Sequence, residues 1–257
     1  MADKKKLFVV SDIHGHGTLL KKVLDEAGFD DNNEDHLFVF CGDLFDRGRE
    51  NRKVYDFVRK LKHKVLVRGN HDERLADALK QKCVDMYDLY NGMEVTLTEF
   101  FGPECVGPTG ELHLPPRGKM AGKLCRLVEE MCDYYETAHY VFVHGWLPTQ
   151  PNVCPPQLIE DWRNADERAW HAARFSKWLL LYGTDAMLPG KTIVCGHRPT
   201  RLANTVDPSR SPTDSSIFYG DGMIAIDAGT IRSGRVNLLV LEDETLDLPE
   251  TDCSTCV

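Results

Sequence analysis

Residues 37–48, LFVFCGDLFDRG, decide how this chain is read: an apolar run, Leu37 to Cys41, stops at Gly42 and leads at once to Asp43, Asp46 and Arg47. A run of this length, rich in β-branched and aromatic side chains and closed by glycine, predicts a buried strand. The arrangement recurs four times. LFVVSDIHG (7–15) ends on Asp12 and His14, and KVLVRGNHD (64–72) ends on Asn70, His71 and Asp72. HYVFVHG (139–145) supplies His144, and KTIVCGH (191–197) supplies His197. In open α/β sheets, ligands gather at the carboxyl ends of strands. Such a series of strand ends predicts one buried site that collects carboxylate or amide oxygens with imidazoles. That is a dinuclear metal site.

Between the first three runs lie helical patterns. LLKKVLDEAG (19–28) puts Leu19, Leu20, Val23 and Leu24 on one face, with Gly28 as a stop. NRKVYDFVRKL (51–61) spaces Val54, Phe57, Val58 and Leu61 in the same way. Crossovers of this kind predict a parallel sheet. Residues 81–135 change character: a Gly/Pro-rich piece, FGPECVGPTGELHLPPRG (101–118), interrupts helical segments, and no strand there ends in a site motif. This stretch is expected to be a small helical cap inserted into a single domain over 1–245.

The segment 157–183 reads as mostly helical, with Trp162, Trp170 and Trp178 on a core face. Residues 199–216 have the composition of a long exposed loop. MIAIDAG (223–229) and RVNLLVLED (235–243) are expected to be a closing pair of strands joined by TIRSG. Asp221-Gly222 reads as a turn. Residues 246–257 form an acidic tail expected to be disordered, in which Cys253 and Cys256 have no second pair with which to build a zinc site.

At 257 residues and 29.1 kDa the chain can bury a substantial core as one domain. Its 42% hydrophobic and 28% charged content is that of a soluble globular protein. No apolar stretch is long enough to span a bilayer, and the basic N-terminus reads as a first strand rather than an export signal. The net charge of −9 argues against nucleic-acid and anionic-membrane partners. It leaves small phosphorylated substrates open, because bound metals invert the local field. Nine scattered cysteines, with Cys41 and Cys195 inside apparent strands, point to a reducing cytoplasm.

Carboxylate, amide and imidazole donors suit manganese, iron or zinc better than copper. In D-x-H the alternation of an extended segment lets Asp12 and His14 point to one side. Asp43 can bridge two metals through its two oxygens. Taken together, D-I-H-G, G-D-L-F-D-R-G, R-G-N-H-D, H-G and G-H resemble the calcineurin-like metallophosphoesterase superfamily. The D-R-G and R-G-N-H forms are similar to its phosphoprotein phosphatase branch and to bacterial Ser/Thr protein phosphatases. The resemblance runs in motif order over residues 7–240.

The resemblance implies a four-layer α/β/β/α sandwich of two mixed sheets. It also implies two divalent metals (Mn, Fe or Zn), one on Asp12, His14 and Asp43, the other on Asp43, Asn70, His144 and His197. His71 becomes the general acid, oriented by Asp46. Arg47 grips the substrate phosphate, with Asn70 and His71 beside it, and Arg198 and Arg163 are further phosphate-binding candidates. Where many relatives have G-H-x-H, this chain reads Gly196-His197-Arg198-Pro199, so that second histidine is absent. Asp72 stands where phosphoprotein phosphatases usually have Glu. The implied reaction is direct attack of a metal-bound hydroxide on a phosphoester, without a covalent phosphoenzyme. The leading expected substrate is a phosphorylated Ser or Thr on a protein; the alternative is a dinucleoside polyphosphate, as in the symmetrical bis(5'-nucleosyl)-tetraphosphatases.

Overall fold

The computed structural model describes residues 5–115 and 119–243, so the expected tail at 246–257 lies outside the described residues. Its first half alternates strand and helix: β1 (Lys5–Val10), α1 (Gly17–Glu26), β2 (His36–Cys41), α2 (Asn51–Lys60), β3 (Lys64–Val67) and α3 (Asn70–Gln81). There follow α4 (Met86–Tyr90), α5 (Met93–Phe101), α6 (Met120–Glu129), β4 (Tyr134–Glu136) and β5 (Tyr140–Val143). The chain closes with α7 (Glu167–Arg174), α8 (Trp178–Leu181), β6 (Thr192–Cys195), β7 (Phe218–Gly220), β8 (Met223–Ala225), α9 (Thr230–Ser233) and β9 (Leu239–Asp243).

The strands form two mixed sheets, ordered β3-β2-β1-β9 and β4-β5-β6-β8-β7. β1, β2 and β3 run parallel, as helical crossovers between them require, and β9 returns antiparallel along β1. Each central strand is apolar on both faces, and its alternation decides which of three cores each side chain enters. Leu7, Val9, Leu37, Val39, Cys41, Val65 and Val67 meet Phe142, Val194 and Ile224 of the other sheet. Their neighbours Phe8, Val10, Phe38, Phe40 and Leu66 pack outward on α1, α2 and α3. Val141, Val143, Ile193 and Ala225 pack outward on Trp162, Trp170 and Trp178. Helix, sheet, sheet and helix layers follow directly. The three tryptophans lie on one core face, as their spacing predicts.

The expected closing pair of strands is corrected. β8 belongs to the second sheet and β9 to the first, so they do not pair, and a helical turn, α9, fills the connection between them. Asp221-Gly222 does form the hairpin turn between β7 and β8. Residues 199–216 are not all exposed loop either: 200–205 form a 3-10 helix with Thr200 and Ala203 buried. Within 81–135, Met93, Leu97, Phe100, Leu124 and Leu127 join the same core as α1 and α2.

Candidate active site

The carboxyl ends of β1, β2 and β3 meet those of β5 and β6 across the sandwich. Backbone and side chain lock them together: Gly196 N–H donates to His144 O at 2.8 Å, and His197 N–H to Asp12 Oδ2 at 2.9 Å. Asp43 takes the amide of His71 on Oδ1 at 3.0 Å, which fixes the first turn of α3 beside it. The six metal-ligand candidates, Asp12, His14, Asp43, Asn70, His144 and His197, converge here. So do Asp46, Arg47, His71 and Arg198. Arg163 does not: it lies on the far side of the second sheet, paired with Glu136 at 2.6 Å.

The backbone is strained where it carries these side chains. Eight non-glycine residues have positive φ among the described residues, and six of them are Asp12, His14, Asp43, Asp46, Arg47 and His197. Such conformations cost about 1–3 kcal/mol each and persist where the surroundings over-determine them. Several glycines here have no room for a side chain, and two of them press on the ligands. A Cβ on Gly69 would fall on Asp43 Oδ1, and one on Gly196 would fall on Asp12 Oδ2.

The donor atoms point inward. His14 Nδ1 donates to Phe45 O at 2.8 Å, and His144 Nδ1 donates to Cys41 O at 2.8 Å. These bonds fix both tautomers with the Nε2 lone pair facing the site, the usual preparation of a metal-ligating histidine. Asp43 then faces both: Oδ2 is 3.6 Å from His14 Nε2, and Oδ1 is 3.4 Å from His144 Nε2. Asn70 Oδ1 lies 2.9 Å from His144 Nε2. With Nδ1 committed as donor, these close approaches bring acceptor towards acceptor, and a cation between them resolves the repulsion. Asp43, His144 and His197 form one cluster of ligand atoms within 4.8 Å of one another, and His14, Asp43 and His71 form a second. Asp12 Oδ1 stands 3.9 Å from His14 Nε2 beside the second cluster. The donor set therefore fits a pair of divalent metals sharing Asp43.

Charge supports the same conclusion. Asp12, Asp43, Asp46, Asp72 and Asp227 are all buried around this point. Burial, with Asp43 nearby, pushes the Asp12 carboxyl up to about 6 and that of Asp72 up to about 7. Burial, with Asp12 nearby, lifts Asp227 well above the usual carboxylate range. Burial drives His14 well below the ordinary imidazole value and His197 down to about 3, so both offer neutral lone pairs. Asp43 runs the other way: burial opposes ionisation, but positive charge on the imidazoles around it, His144 foremost, would draw its carboxyl below the usual range.

Arg47 spans the site mouth, its Nη1 2.8 Å from His14 Nε2 and its Nη2 2.9 Å from His71 Nε2. It is a cation placed against the lone pair of a candidate ligand. His71 Nδ1 is 2.7 Å from Asp46 Oδ2. Burial lowers the His71 pKa, but Asp43 and the Asp46 hydrogen bond outweigh it and lift the ring to about 9.

Thr96 and Thr230 support the site without any signal in a motif, and Asp72 and Trp146 take structural roles. Thr96 of α5 is fully buried; its hydroxyl donates to Asp46 Oδ1 at 2.7 Å and accepts the Asp46 amide at 2.9 Å. Its only sequence signal is a polar residue on an otherwise apolar helix face. Asp72 accepts the amides of Asp43, Leu44 and Gly69 at 2.8–3.0 Å, pinning β2's end to α3. Thr230 donates to Asp12 O at 2.9 Å. Trp146 packs in the outer core of the second sheet and donates to Ala186 O at 2.9 Å.

The calcineurin-like phosphoesterase family model matches residues 5–225. The chain belongs to this family. A segment of 74 residues is 38% identical to serine/threonine-protein phosphatase 1 of Salmonella typhimurium, covering 29% of this chain and 33% of that protein. Another, of 69 residues, is 38% identical to the symmetrical bis(5'-nucleosyl)-tetraphosphatase of Buchnera aphidicola, covering 26% of this chain and 24% of that protein. The matches thus span a third or less of those relatives' lengths. Among solved structures, the cold-active protein-tyrosine phosphatase of a Shewanella species superposes with a TM-score of 0.54 at 16% identity. That superposition covers 93% of this chain and 76% of that one and shows the shared fold.

Proposed function

We propose that the chain is a phosphoester hydrolase dependent on two divalent metals. The observation that carries this reading is Asp43, whose two oxygens face His14 and His144 on opposite sides, directly beside the His71–Asp46 pair. Asp12, His14 and Asp43 would hold one ion, and Asp43, Asn70, His144 and His197 the other. A divalent pair supplies Lewis-acid polarisation and acidifies a bound water.

The chain's own groups do the rest. Arg47 swings from the two imidazoles onto the substrate phosphate, whose oxygens suit its planar fork. That movement frees His71 Nε2, whose contact with Arg47 at 2.9 Å requires it to accept rather than donate. Asp46 keeps Nδ1 as the donor side, so the proton gained on Nε2 faces the leaving oxygen. The attacking water gives up one proton to solvent as its oxygen bonds to phosphorus, the bond to the leaving oxygen breaks, and that oxygen takes the proton that His71 Nε2 has drawn from solvent. Among the described residues no helix is long and apolar enough to cross a membrane. Cys41, Cys105 and Cys195 are buried free thiols, which suits a reducing cytoplasm.

Two substrates are in view, and each is favoured by one of the partial relatives: a phosphoserine or phosphothreonine protein, and a dinucleoside tetraphosphate. Of these we favour the second. A cavity of about 500 Å³ opens from His14 and Arg47 and is lined by Arg198, Arg201 and Arg232, with the exposed Tyr90 on its rim. A multiply charged phosphate chain with an adjoining base matches that wall better than one phosphorylated side chain. Phosphate release and product analysis with the manganese-loaded chain test the choice. Cleavage of diadenosine tetraphosphate with untouched phosphopeptides is expected; the reverse preference returns the assignment to a protein phosphatase.

A further inference from the structure

Three guanidinium groups, those of Arg198, Arg201 and Arg232, converge on the cavity wall with a single carboxylate among its lining residues. The chain carries a net charge of −9, and several of its arginines elsewhere are neutralised. Arg68, Arg74, Arg163, Arg174 and Arg210 each face a carboxylate. Arg198, Arg201 and Arg232 have no carboxylate partner among the described residues, and Arg201 Nε is buried with no hydrogen-bond partner at all. Leaving a buried donor unsatisfied is costly, and a charged donor most of all. Asp227 is the single carboxylate on the same wall, and it is turned to its own loop by the Gly229 amide at 2.6 Å.

These arginines come from separate pieces of chain held in register. Arg198 follows His197 at the end of β6, Arg201 lies on the 3-10 helix 200–205, and Arg232 lies on α9. Thr200 N–H donates to Asp227 O at 2.8 Å, and Thr230 donates to Asp12 O at 2.9 Å, so both segments are tied to the site floor. Convergence of uncompensated cations on one cavity is the footprint of an anionic ligand. The cavity is continuous with Arg47 and His197, so its ligand is the remainder of the molecule whose phosphate is being cleaved.

We propose that Arg201 and Arg232, flanking Arg198, form a second anion subsite that binds a further phosphate group of the substrate beyond the one being cleaved. This inference rests on the phosphoester-hydrolase reading and deepens it: the subsite selects substrates with a chain of phosphates over monophosphate esters. Arg201 and Arg232 are specificity-determining residues, since they grip a group that does not react.

The test compares kcat/KM for diadenosine tetraphosphate and p-nitrophenyl phosphate in manganese-loaded wild type, R201A, R232A and the conservative R201K. Inhibition of p-nitrophenyl phosphate turnover by inorganic tripolyphosphate is measured in the same four proteins. One charge-assisted contact is worth about tenfold in affinity. Each alanine variant is therefore expected to lower selectivity for the tetraphosphate about tenfold and to weaken tripolyphosphate inhibition by a similar factor, with partial recovery in R201K. Equal losses on both substrates, or unchanged tripolyphosphate inhibition, would overturn the subsite. Failure of wild type to cleave the tetraphosphate, with tripolyphosphate inhibition still dependent on Arg201 and Arg232, would refute the nucleotide substrate and uphold the subsite. Absence of any phosphate release by metal-loaded wild type would instead remove the hydrolase reading beneath it.

Discussion

At the scale of single residues, His71 and Asp46 carry the assignment of acid catalysis. The 2.7 Å contact from His71 Nδ1 to Asp46 orients the ring, and Thr96 in turn holds Asp46. Replacing His71 with Asn should lower kcat about 10²–10⁴-fold, the usual worth of a positioned acid, while the bound metal stays near the wild-type amount. Elemental analysis beside steady-state kinetics checks this; full turnover in H71N, or loss of metal with unchanged turnover, rejects the role. Most of these residues are legible in the sequence because each follows an apolar run with a glycine at its end. Thr96, Arg201 and Arg232 are not. They act on the site from helical or turn segments with no motif of their own, and only tertiary packing brings them there.

Among the elements, the junction between α3 and α7 deserves a prediction of its own. Arg174, at the end of α7, is almost wholly buried and meets Glu73 at 2.8 Å, Asp133 at 2.5 Å, and Glu167. Glu73 lies on α3, three residues after Asn70, and the Ala173 carbonyl accepts the Trp146 amide beside His144. The pair thus braces the two halves of the site. R174M leaves Asp133 without its partner and Glu73 with His171 alone, and should destabilise the fold by roughly 3 kcal/mol, read from chemical denaturation. Burial alone would raise the Glu73 carboxyl, but Arg174 and His171 hold it below its ordinary value. Its pairing therefore stabilises the fold above about pH 4.3 and is lost as pH falls through the lower folded value. That acid-side loss should be shallower in R174M; an unchanged slope and midpoint would show that the bridge contributes nothing. The element order was legible up to α3, where helix and strand periods alternate. It failed at β8 and β9, because two short apolar strands in succession say nothing about whether they pair or divide between sheets.

For the molecule as a whole, two sheets that are apolar on both faces produce three cores and bring five strand ends to one place. A chain with excess negative charge brings three arginines without a carboxylate partner, Arg198, Arg201 and Arg232, to the wall beside that point. The sandwich was legible only through family resemblance, since runs buried on both faces do not reveal which face meets the second sheet. The wall of the cavity was hidden for the same reason that Arg163 misled: an arginine's worth depends on whether a carboxylate such as Glu136 reaches it first. In the proposed mechanism one Asp43 serves two metals, and these support phosphoester cleavage. Metal content and phosphate release should be measured on wild type and D43N after saturation with manganese and removal of excess ion. Wild type should hold two ions per chain, and D43N should lose both together with turnover. Two ions retained by D43N, or turnover persisting without them, would contradict that mechanism.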